Sequence, residues 1–179
     1  MIYVVRHGQT DWNTIKRIQG WKDIALNEKG IEQAKEIKEK LKGIKFDEVI
    51  SSPLKRALRT AKVISGRTYK DITQDDRLKE RCNGEFEGKL KQDTDQSYDF
   101  NDPNENRYGI ENITDFRKRI SDFCKELEKK YKNKNVLVVT HAGVSIYIRC
   151  HFEGEPEDGD FNKYKLKNCE VLEYENGDK

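Results

Sequence analysis

The feature that most constrains the fold of this chain is a run of four consecutive apolar residues, Val136, Leu137, Val138 and Val139. A strand with no polar position is typical of the centre of a parallel sheet, because both of its faces are covered. Residues 2–5 (Ile-Tyr-Val-Val) form a second run of the same kind. Two such strands require helices on both faces of the sheet that contains them.

Amphipathic stretches alternate with these runs. Apolar residues recur at helical spacing in 31–41 and 113–127, and Ser52-Pro53 has the composition of an N-cap followed by a first-turn proline. Further strand candidates are residues 47–50, 164–166 and 170–174. Strands that alternate with helices predict an α/β fold, a three-layer α/β/α sandwich with a mostly parallel central sheet. We expect a single domain over residues 1–179, with a short lid-like excursion at about 89–112.

Bulk properties argue against several classes of partner. Charged residues make up 38% of the chain, but the net charge is only +2 and Lys and Arg interleave with Glu along the helices, so no nucleic-acid partner is expected. The four cysteines have no CxxC pair, which argues against a zinc ribbon. The first apolar run is too short for a signal peptide or a membrane span, so we expect a cytoplasmic protein without a membrane partner, and a monomer by default.

A histidine follows each of the two buried strands. His7 stands in Arg-His-Gly at 6–8, and His141 stands in Thr-His-Ala-Gly at 140–143. Ligands of open α/β sheets bind outside the carboxyl ends of the strands, and the helix predicted from Gly143 offers free N–H groups to an anion. Arg6 and Arg56 add the planar fork that matches phosphate oxygens. These loops contain no clustered carboxylates for Mg²⁺, so we expect arginine and histidine to neutralise a phosphoryl group, with no metal and no cofactor.

These residues belong to a larger pattern, which resembles the histidine phosphatase superfamily, the phosphoglycerate mutase-like enzymes, and in particular its phosphatases. Four blocks occur in the order of that family and cover most of the chain. The matching residues are Arg-His-Gly-Gln-Thr at 6–10 with Trp12, Asn13, Gln19, Gly20, Asp23 and Leu26; Ser-Ser-Pro-Leu at 51–54 with Arg56, Ala57, Thr60 and Ala61; Leu78, Glu80, Gly84, Glu87 and Gly88; and Thr-His-Ala-Gly at 140–143.

The resemblance implies a role for each matching residue. His7 would attack phosphorus and form a phosphohistidine, while Arg6, Arg56 and His141 surround the phosphoryl group. Glu80 would protonate the leaving oxygen and then activate water. The remaining candidate substrate contacts are Asn13, Gln19, Gly20 and the backbone N–H of Ala142, with loop capping as the alternative role for Gln19.

The resemblance leaves three functions open. A phosphatase acting on small phosphorylated metabolites is favoured, because residues 89–112 lack the arginine pair with which the mutases hold a second anionic group. That segment carries Asp93, Asp95, Asp99, Asp102 and Glu105 against Lys91 and Arg107, and an acidic lid would repel a bisphosphate. Against this, Glu80-Arg81 with Gly84 and Glu87-Gly88-Lys89 is similar to some sugar-bisphosphatases of the family, which keeps such substrates open. The alternatives are a phosphotransferase of the mutase type and a non-catalytic relative that binds phosphorylated ligands.

Overall fold

A computed structural model describes residues 1–177 of the chain. The strands are β1 (Ile2–Arg6), β2 (Glu48–Ser51), β3 (Thr73–Gln74), β4 (Val136–Thr140) and β5 (Val171–Tyr174). The helices are α1 (Asp11–Thr14), α2 (Glu28–Lys40), α3 (Lys55–Ser65), α4 (Ile113–Lys130) and α5 (Ala142–Glu153).

The five strands form one sheet in the order β3-β2-β4-β1-β5. All neighbouring pairs are parallel except β1 with β5, which is antiparallel. Every residue of β4 is buried, and β4 is the central strand. The apolar run at 136–139 therefore predicted its place in the sheet, and the expected mostly parallel sheet is confirmed.

Alternate residues of the central strands belong to different cores. Val136 and Val138 pack with the apolar faces of α4 and α5, while Leu137 and Val139 pack with those of α2 and α3. Side chains alternate across a strand, so one buried sheet separates two helical layers. The three-layer α/β/α arrangement predicted from the sequence is confirmed.

Two local predictions were wrong. Helix α3 begins at Lys55 with Leu54 as its N-cap, so Ser52 and Pro53 precede the helix instead of starting it. The Ser52 hydroxyl contacts His141 instead, a long-range partner that the local pattern could not show. The strand expected at 164–166 is also absent, because Phe161–Tyr164 forms a 3-10 turn.

The excursion at 89–112 has its own small core. Phe86 is 1% exposed and packs against Tyr98 and Ile110, with Phe100 and Tyr108 beside them. The Tyr98 and Phe100 rings lie edge to face, with their centroids 4.8 Å apart. This aromatic cluster gives a segment without strands or α-helices a defined position beside the sheet. Separately, none of the helices described in residues 1–177 is long and apolar enough to cross a membrane.

Candidate active site

The register of β1 and β4 brings the two strand-end histidines together. The strands are parallel neighbours, with Arg6 opposite Thr140, and the His7 N–H donates to the Thr140 carbonyl at 2.9 Å. Both strands end at this point, so His7 and His141, the residues that follow them, lie side by side. Their ring centroids are 5.1 Å apart.

His7 is 3% exposed, and its ring is held in one orientation by a backbone contact. Its Nδ1 lies 2.7 Å from the Gly8 carbonyl oxygen, which only accepts hydrogen bonds, so Nδ1 carries the proton and Nε2 keeps its lone pair when the ring is neutral. Burial, with Arg56 and Arg6 as the next causes, lowers the pKa of His7 well below 6.5. A neutral imidazole with a free Nε2 is suited to act as a nucleophile.

Gly8 permits this turn because the chain passes close to another backbone. A Cβ at Gly8 would lie 2.4 Å from the Gly30 carbonyl oxygen. The Gly8 N–H donates to Thr60 Oγ1 at 3.0 Å, and this bond ties the turn to α3. Thr10 then caps α1 in a capping box with Asn13. The loop after β1 is therefore fixed on both sides of His7.

His141 is fully buried beside the site. Its Nε2 and the Ser52 Oγ are 2.8 Å apart, and its Nδ1 is buried without a hydrogen-bond partner. Burial lowers the pKa of His141 well below 6.5, and the positive charges of nearby Arg56 and Arg6 lower it further. The side chain contacts His7 without itself lining the cavity described next.

A cavity of about 170 Å³ lies in front of His7. Four of its lining side chains are cationic, and Glu80 is the single carboxylate among them. The lining residues are Arg6, His7, Asn13, Arg17, Gln19, Gly20, Arg56, Glu80, Asn83, Ala142 and Lys165. Eight of the nine residues predicted for the site lie on this wall, and the ninth is His141.

Backbone carbonyls hold the arginines in place. Arg56 donates to the carbonyls of Lys22 and Gly20 at 2.8 and 2.7 Å, and Arg6 donates to that of Leu166 at 2.8 Å. The Nε atoms of Arg6 and Arg56, and that of Arg17, are buried without a partner. Because carbonyls carry no net charge, each guanidinium keeps its positive charge, and burial lowers the pKa of Arg56 only to about 10. Three guanidinium groups therefore bring positive charge to the cavity wall, which suits an anionic ligand.

Gly20 contributes to the cavity wall through its backbone conformation. Its φ is +49°, and a Cβ there would lie 2.1 Å from Glu87 Oε1. The same Glu87 oxygen accepts the N–H groups of Trp21 at 2.8 Å and Asn83 at 3.0 Å. Glu87 therefore fixes the turn whose Gly20 carbonyl holds Arg56. The remaining wall contains Ala142, Asn13 and Gln19. The Asn13 Oδ1 accepts a hydrogen bond from the Thr10 N–H, and the Gln19 Oε1 is buried without a partner.

The Glu80 side chain is positioned by two backbone N–H groups. Its Oε1 accepts from Arg81 at 2.9 Å, and its Oε2 accepts from Gly143, in the first turn of α5, at 3.1 Å. The Glu80 carbonyl oxygen accepts from Trp21 Nε1 at 2.7 Å and from Arg119 Nη2 at 3.1 Å. Four donors thus hold Glu80 at the cavity wall, two on its carboxylate and two on its backbone carbonyl.

Arg81 links the excursion to this carboxylate. It is 9% exposed, and its guanidinium donates to the Phe100 carbonyl at 2.6 Å and the Glu111 carbonyl at 2.8 Å. The residue next to Glu80 therefore fastens both the middle and the end of the excursion. An arginine that follows Glu80 is evident from the sequence, but its partners lie 19 and 30 residues away.

A second, larger cavity of about 560 Å³ adjoins the first. Glu80, Asn83, Ala142 and Lys165 line both. The wall of the larger cavity is aromatic and amide-rich, with Tyr98 and Phe100 from the excursion opposite Phe116, Tyr147 and Phe161. Of the five excursion carboxylates noted in the sequence, only Asp95 lines it, and Asp95 is paired with Arg107 at 3.0 Å.

Three residues of the smaller cavity were missed by the sequence analysis: Arg17, Asn83 and Lys165. Arg17 lies between two matching motifs and donates to the Gly88 carbonyl at 2.7 Å, so its position within the first block was the available signal. Lys165 comes from a loop without a motif, where no local pattern marks it. As for metals, no cluster of three or more His, Cys, Asp or Glu residues within residues 1–177 could hold an ion.

Comparisons with known proteins assign the chain to a family. The family model of the histidine phosphatase superfamily, branch 1, matches residues 2–179. The chain is 34% identical to the uncharacterized phosphatase PhoE of Bacillus subtilis over 157 residues, which are 87% of this chain and 79% of that protein. It is 38% identical to a metal-independent phosphoserine phosphatase of Arabidopsis thaliana over 160 residues, 83% of this chain and 67% of that protein.

A solved structure is similar over almost the whole chain. Phosphoserine phosphatase from Entamoeba histolytica, crystallised as a histidine-to-alanine mutant with phosphoserine, superposes with a TM-score of 0.81 at 28% identity. The match covers 95% of this chain and 87% of that one. The four sequence blocks, the sheet order and the family match agree, and the chain belongs to the histidine phosphatase superfamily, branch 1.

Proposed function

We propose that this protein is a phosphatase that hydrolyses small phosphate monoesters through a phosphohistidine on His7, without a metal or another cofactor. The observation that carries the proposal is the His7 ring. Its Nδ1 is committed to the Gly8 carbonyl, which leaves Nε2 for the cationic cavity that Glu80 also lines. A nucleophile, an acid–base group and anion-binding donors thus line one small space.

The reaction runs in two displacements. His7 Nε2 forms a bond to phosphorus as the ester P–O bond breaks, and Glu80 delivers its proton to the leaving oxygen. Glu80 then takes a proton from water while the water oxygen bonds to phosphorus and the N–P bond breaks. His7 returns to its neutral form with the proton still on Nδ1. Both proton transfers use the one carboxylate on the cavity wall.

The surrounding side chains supply the charge that phosphoryl transfer requires. The guanidinium groups of Arg6, Arg17 and Arg56, which line the cavity, stabilise the negative charge on the phosphoryl oxygens. The backbone carbonyls that hold these side chains preorganise them, so little reorganisation accompanies the reaction. Asn13, Gln19 and the N–H of Ala142 complete the phosphate site in this proposal.

Water is the proposed acceptor, which distinguishes a phosphatase from a mutase. The one arginine of the excursion, Arg107, is bound to Glu105 and Asp95, and the Arg81 guanidinium is committed to two carbonyls. Neither is free to hold a second anionic group in the way the mutases do. The phosphatase names of the relatives from Bacillus and Arabidopsis support the same choice, and the phosphoserine bound by the Entamoeba enzyme supports a small phosphorylated metabolite as substrate.

The non-catalytic alternative is disfavoured by the completeness of the set. A protein that only binds phosphorylated ligands needs the arginines, but it has no use for an oriented nucleophile together with a Glu80 held by two N–H groups. The proposal therefore assigns the protein a chemical step as well as a binding site.

The decisive experiment is a screen of phosphorylated metabolites with EDTA present, in which the wild type and His7→Ala are compared. We expect activity of the wild type in EDTA and no turnover by His7→Ala. In a separate assay without EDTA, vanadate should inhibit the wild type. A rapid quench of the wild type in alkaline detergent should trap phosphate on His7 that is stable in base and released by acid. Loss of activity in EDTA, or turnover by His7→Ala, would overturn the mechanism.

A further inference from the structure

Lys165 lies where the two cavities meet. It lines both of them, together with Glu80, Asn83 and Ala142. It comes from the loop after the Phe161–Tyr164 turn, and its ammonium group makes no hydrogen bond or ion pair with another residue in 1–177. An unpaired cation at this boundary is placed to contact the part of a substrate next to the phosphate.

The leaving group of the proposed reaction has to cross this boundary. Glu80 protonates the ester oxygen, and Glu80 is shared by both cavities. The phosphoryl group fills the smaller cavity in front of His7, so the rest of the substrate extends past Glu80 into the larger one. The atoms nearest the ester oxygen therefore pass Lys165 before they reach the aromatic wall.

The positive charge that lines the smaller cavity exceeds the negative charge of a phosphate group. Three guanidinium groups and the Lys165 ammonium line this cavity with one carboxyl group, that of Glu80. The excess is three positive charges when Glu80 is ionised, and four when it carries the proton for the leaving oxygen. A phosphate monoester supplies close to two negative charges at neutral pH. At least one positive charge stays unmatched, and of these four cations only Lys165 also lines the larger cavity that the leaving group enters.

No carboxylate within residues 1–177 forms an ion pair with Lys165, although the charge of Glu80 on the shared wall raises its pKa. Asp160 also lines the larger cavity, but its Oδ1 accepts the Asn162 N–H and caps the 3-10 turn. Asp95 is bound to Arg107, Ser97 and Tyr108. The pKa of Lys165 is lowered, first by partial burial and second by the positive charge of Arg6, a charge that a bound anion would offset.

We propose that Lys165 binds a carboxylate carried by the leaving group close to the ester oxygen. Phosphorylated short hydroxy acids and hydroxy amino acids are then preferred over esters of the same size that lack the acid group. Lys165 is in this way a specificity-determining residue of the proposed phosphatase site, and the inference rests on that function. Because the side chain stays in contact with solvent, we expect a contribution of about tenfold.

The test compares matched substrates in the presence of EDTA. Phosphoserine is paired with phosphoethanolamine, and 3-phosphoglycerate is paired with glycerol 3-phosphate, so each pair differs at the carboxylate. The enzymes are the wild type, Lys165→Met, Lys165→Arg and Lys167→Met, with p-nitrophenyl phosphate as a reference ester. Lys167 is an exposed lysine of the same loop that lines neither cavity, so its variant controls for the loss of one positive charge.

We expect the wild type to prefer the carboxylated member of each pair. Lys165→Met should lower kcat/KM for the carboxylated esters roughly tenfold, mainly through KM, and leave the other esters within about twofold. Lys165→Arg should retain most of the preference, and Lys167→Met should behave as the wild type. No preference in the wild type, or equal losses on all esters, would overturn the assignment. Failure of the phosphatase proposal itself would appear separately, as turnover of p-nitrophenyl phosphate by His7→Ala.

Discussion

The Gly143 N–H donates to Glu80 Oε2 at 3.1 Å, and a Cβ on Gly143 would lie 2.4 Å from Glu80 Oε1. Gly143 → Ala should therefore displace the carboxylate, because the flexible end of Glu80 moves more easily than the backbone. We expect kcat for alkyl phosphates, whose leaving oxygen needs a proton, to fall at least about tenfold. The loss should be smaller for p-nitrophenyl phosphate, which has a better leaving group. Equal losses on both ester classes would argue against Glu80 as the proton donor.

The same substitution should leave the fold intact. Gly143 lies inside α5 without a positive φ, and alanine favours helices by about 0.5–1 kcal/mol over glycine. The free energy of unfolding, measured in urea, is therefore expected to stay equal or rise slightly. A large drop in stability would mean that the activity loss reports on folding instead of on Glu80.

The two buried histidines predict a loss of stability in mild acid. Burial lowers the pKa of both His7 and His141 well below 6.5, so the unfolded chain binds protons that the folded chain does not. Their contribution is complete above about pH 6.5 and is lost as the pH falls from there toward the folded-state values, by up to about 1.4 kcal/mol per pH unit for each ring. Urea unfolding between pH 7.5 and 5.5 in phosphate-free buffer measures this slope. His7→Gln should flatten it, and an unchanged slope in that variant would exclude His7 as a source.

Arg56 predicts a coupling between anion binding and the Gly20 turn. Its two Nη atoms hold the carbonyls of Gly20 and Lys22, and its Nε remains unpaired. Arg56→Lys keeps the charge but lacks the fork, so it should lose affinity for inorganic phosphate. At a phosphate concentration of 100 times Kd the wild type should gain about 2.7 kcal/mol of stability. We expect thermal unfolding to show a much smaller Tm shift with phosphate in the variant; an equal shift would contradict the assignment.

The hydrogen bonds of Arg81 indicate that the excursion is anchored at the active site. Its guanidinium donates hydrogen bonds to the carbonyls of Phe100 and Glu111, so Arg81→Met removes the donor from two buried acceptors. We expect a loss of about 2–3 kcal/mol in urea unfolding and faster amide exchange in residues 91–110. Arg59→Met is the matched control, because the Arg59 guanidinium makes no hydrogen bond within residues 1–177. Unchanged exchange in the Arg81 variant would mean that the aromatic cluster alone holds the excursion.

The sequence by itself determined the sheet, the helices and most of the cavity wall. Residues 136–139 are apolar at every position, and this predicted a central strand. The same pattern placed His7 and His141 at the ends of two buried strands. The four motif blocks predicted the family, and Arg6, His7, Arg56 and Glu80 lie together as those blocks imply. Local periodicity and short motifs carry this information because strand burial and strand-end turns depend on neighbouring residues.

Only the tertiary structure decided which groups have partners across the chain. Ser52 reads locally as a helix cap, yet it contacts His141, 89 residues away. Lys165 belongs to no motif, and it reaches the site because the loop after Phe161–Tyr164 crosses the carboxyl end of the sheet beside Arg6. The excursion carboxylates looked like a repulsive lid, but only Asp95 lines a cavity, and it is neutralised by Arg107. Charge compensation and hydrogen bonding between distant segments depend on three-dimensional packing, which no local pattern in the chain encodes.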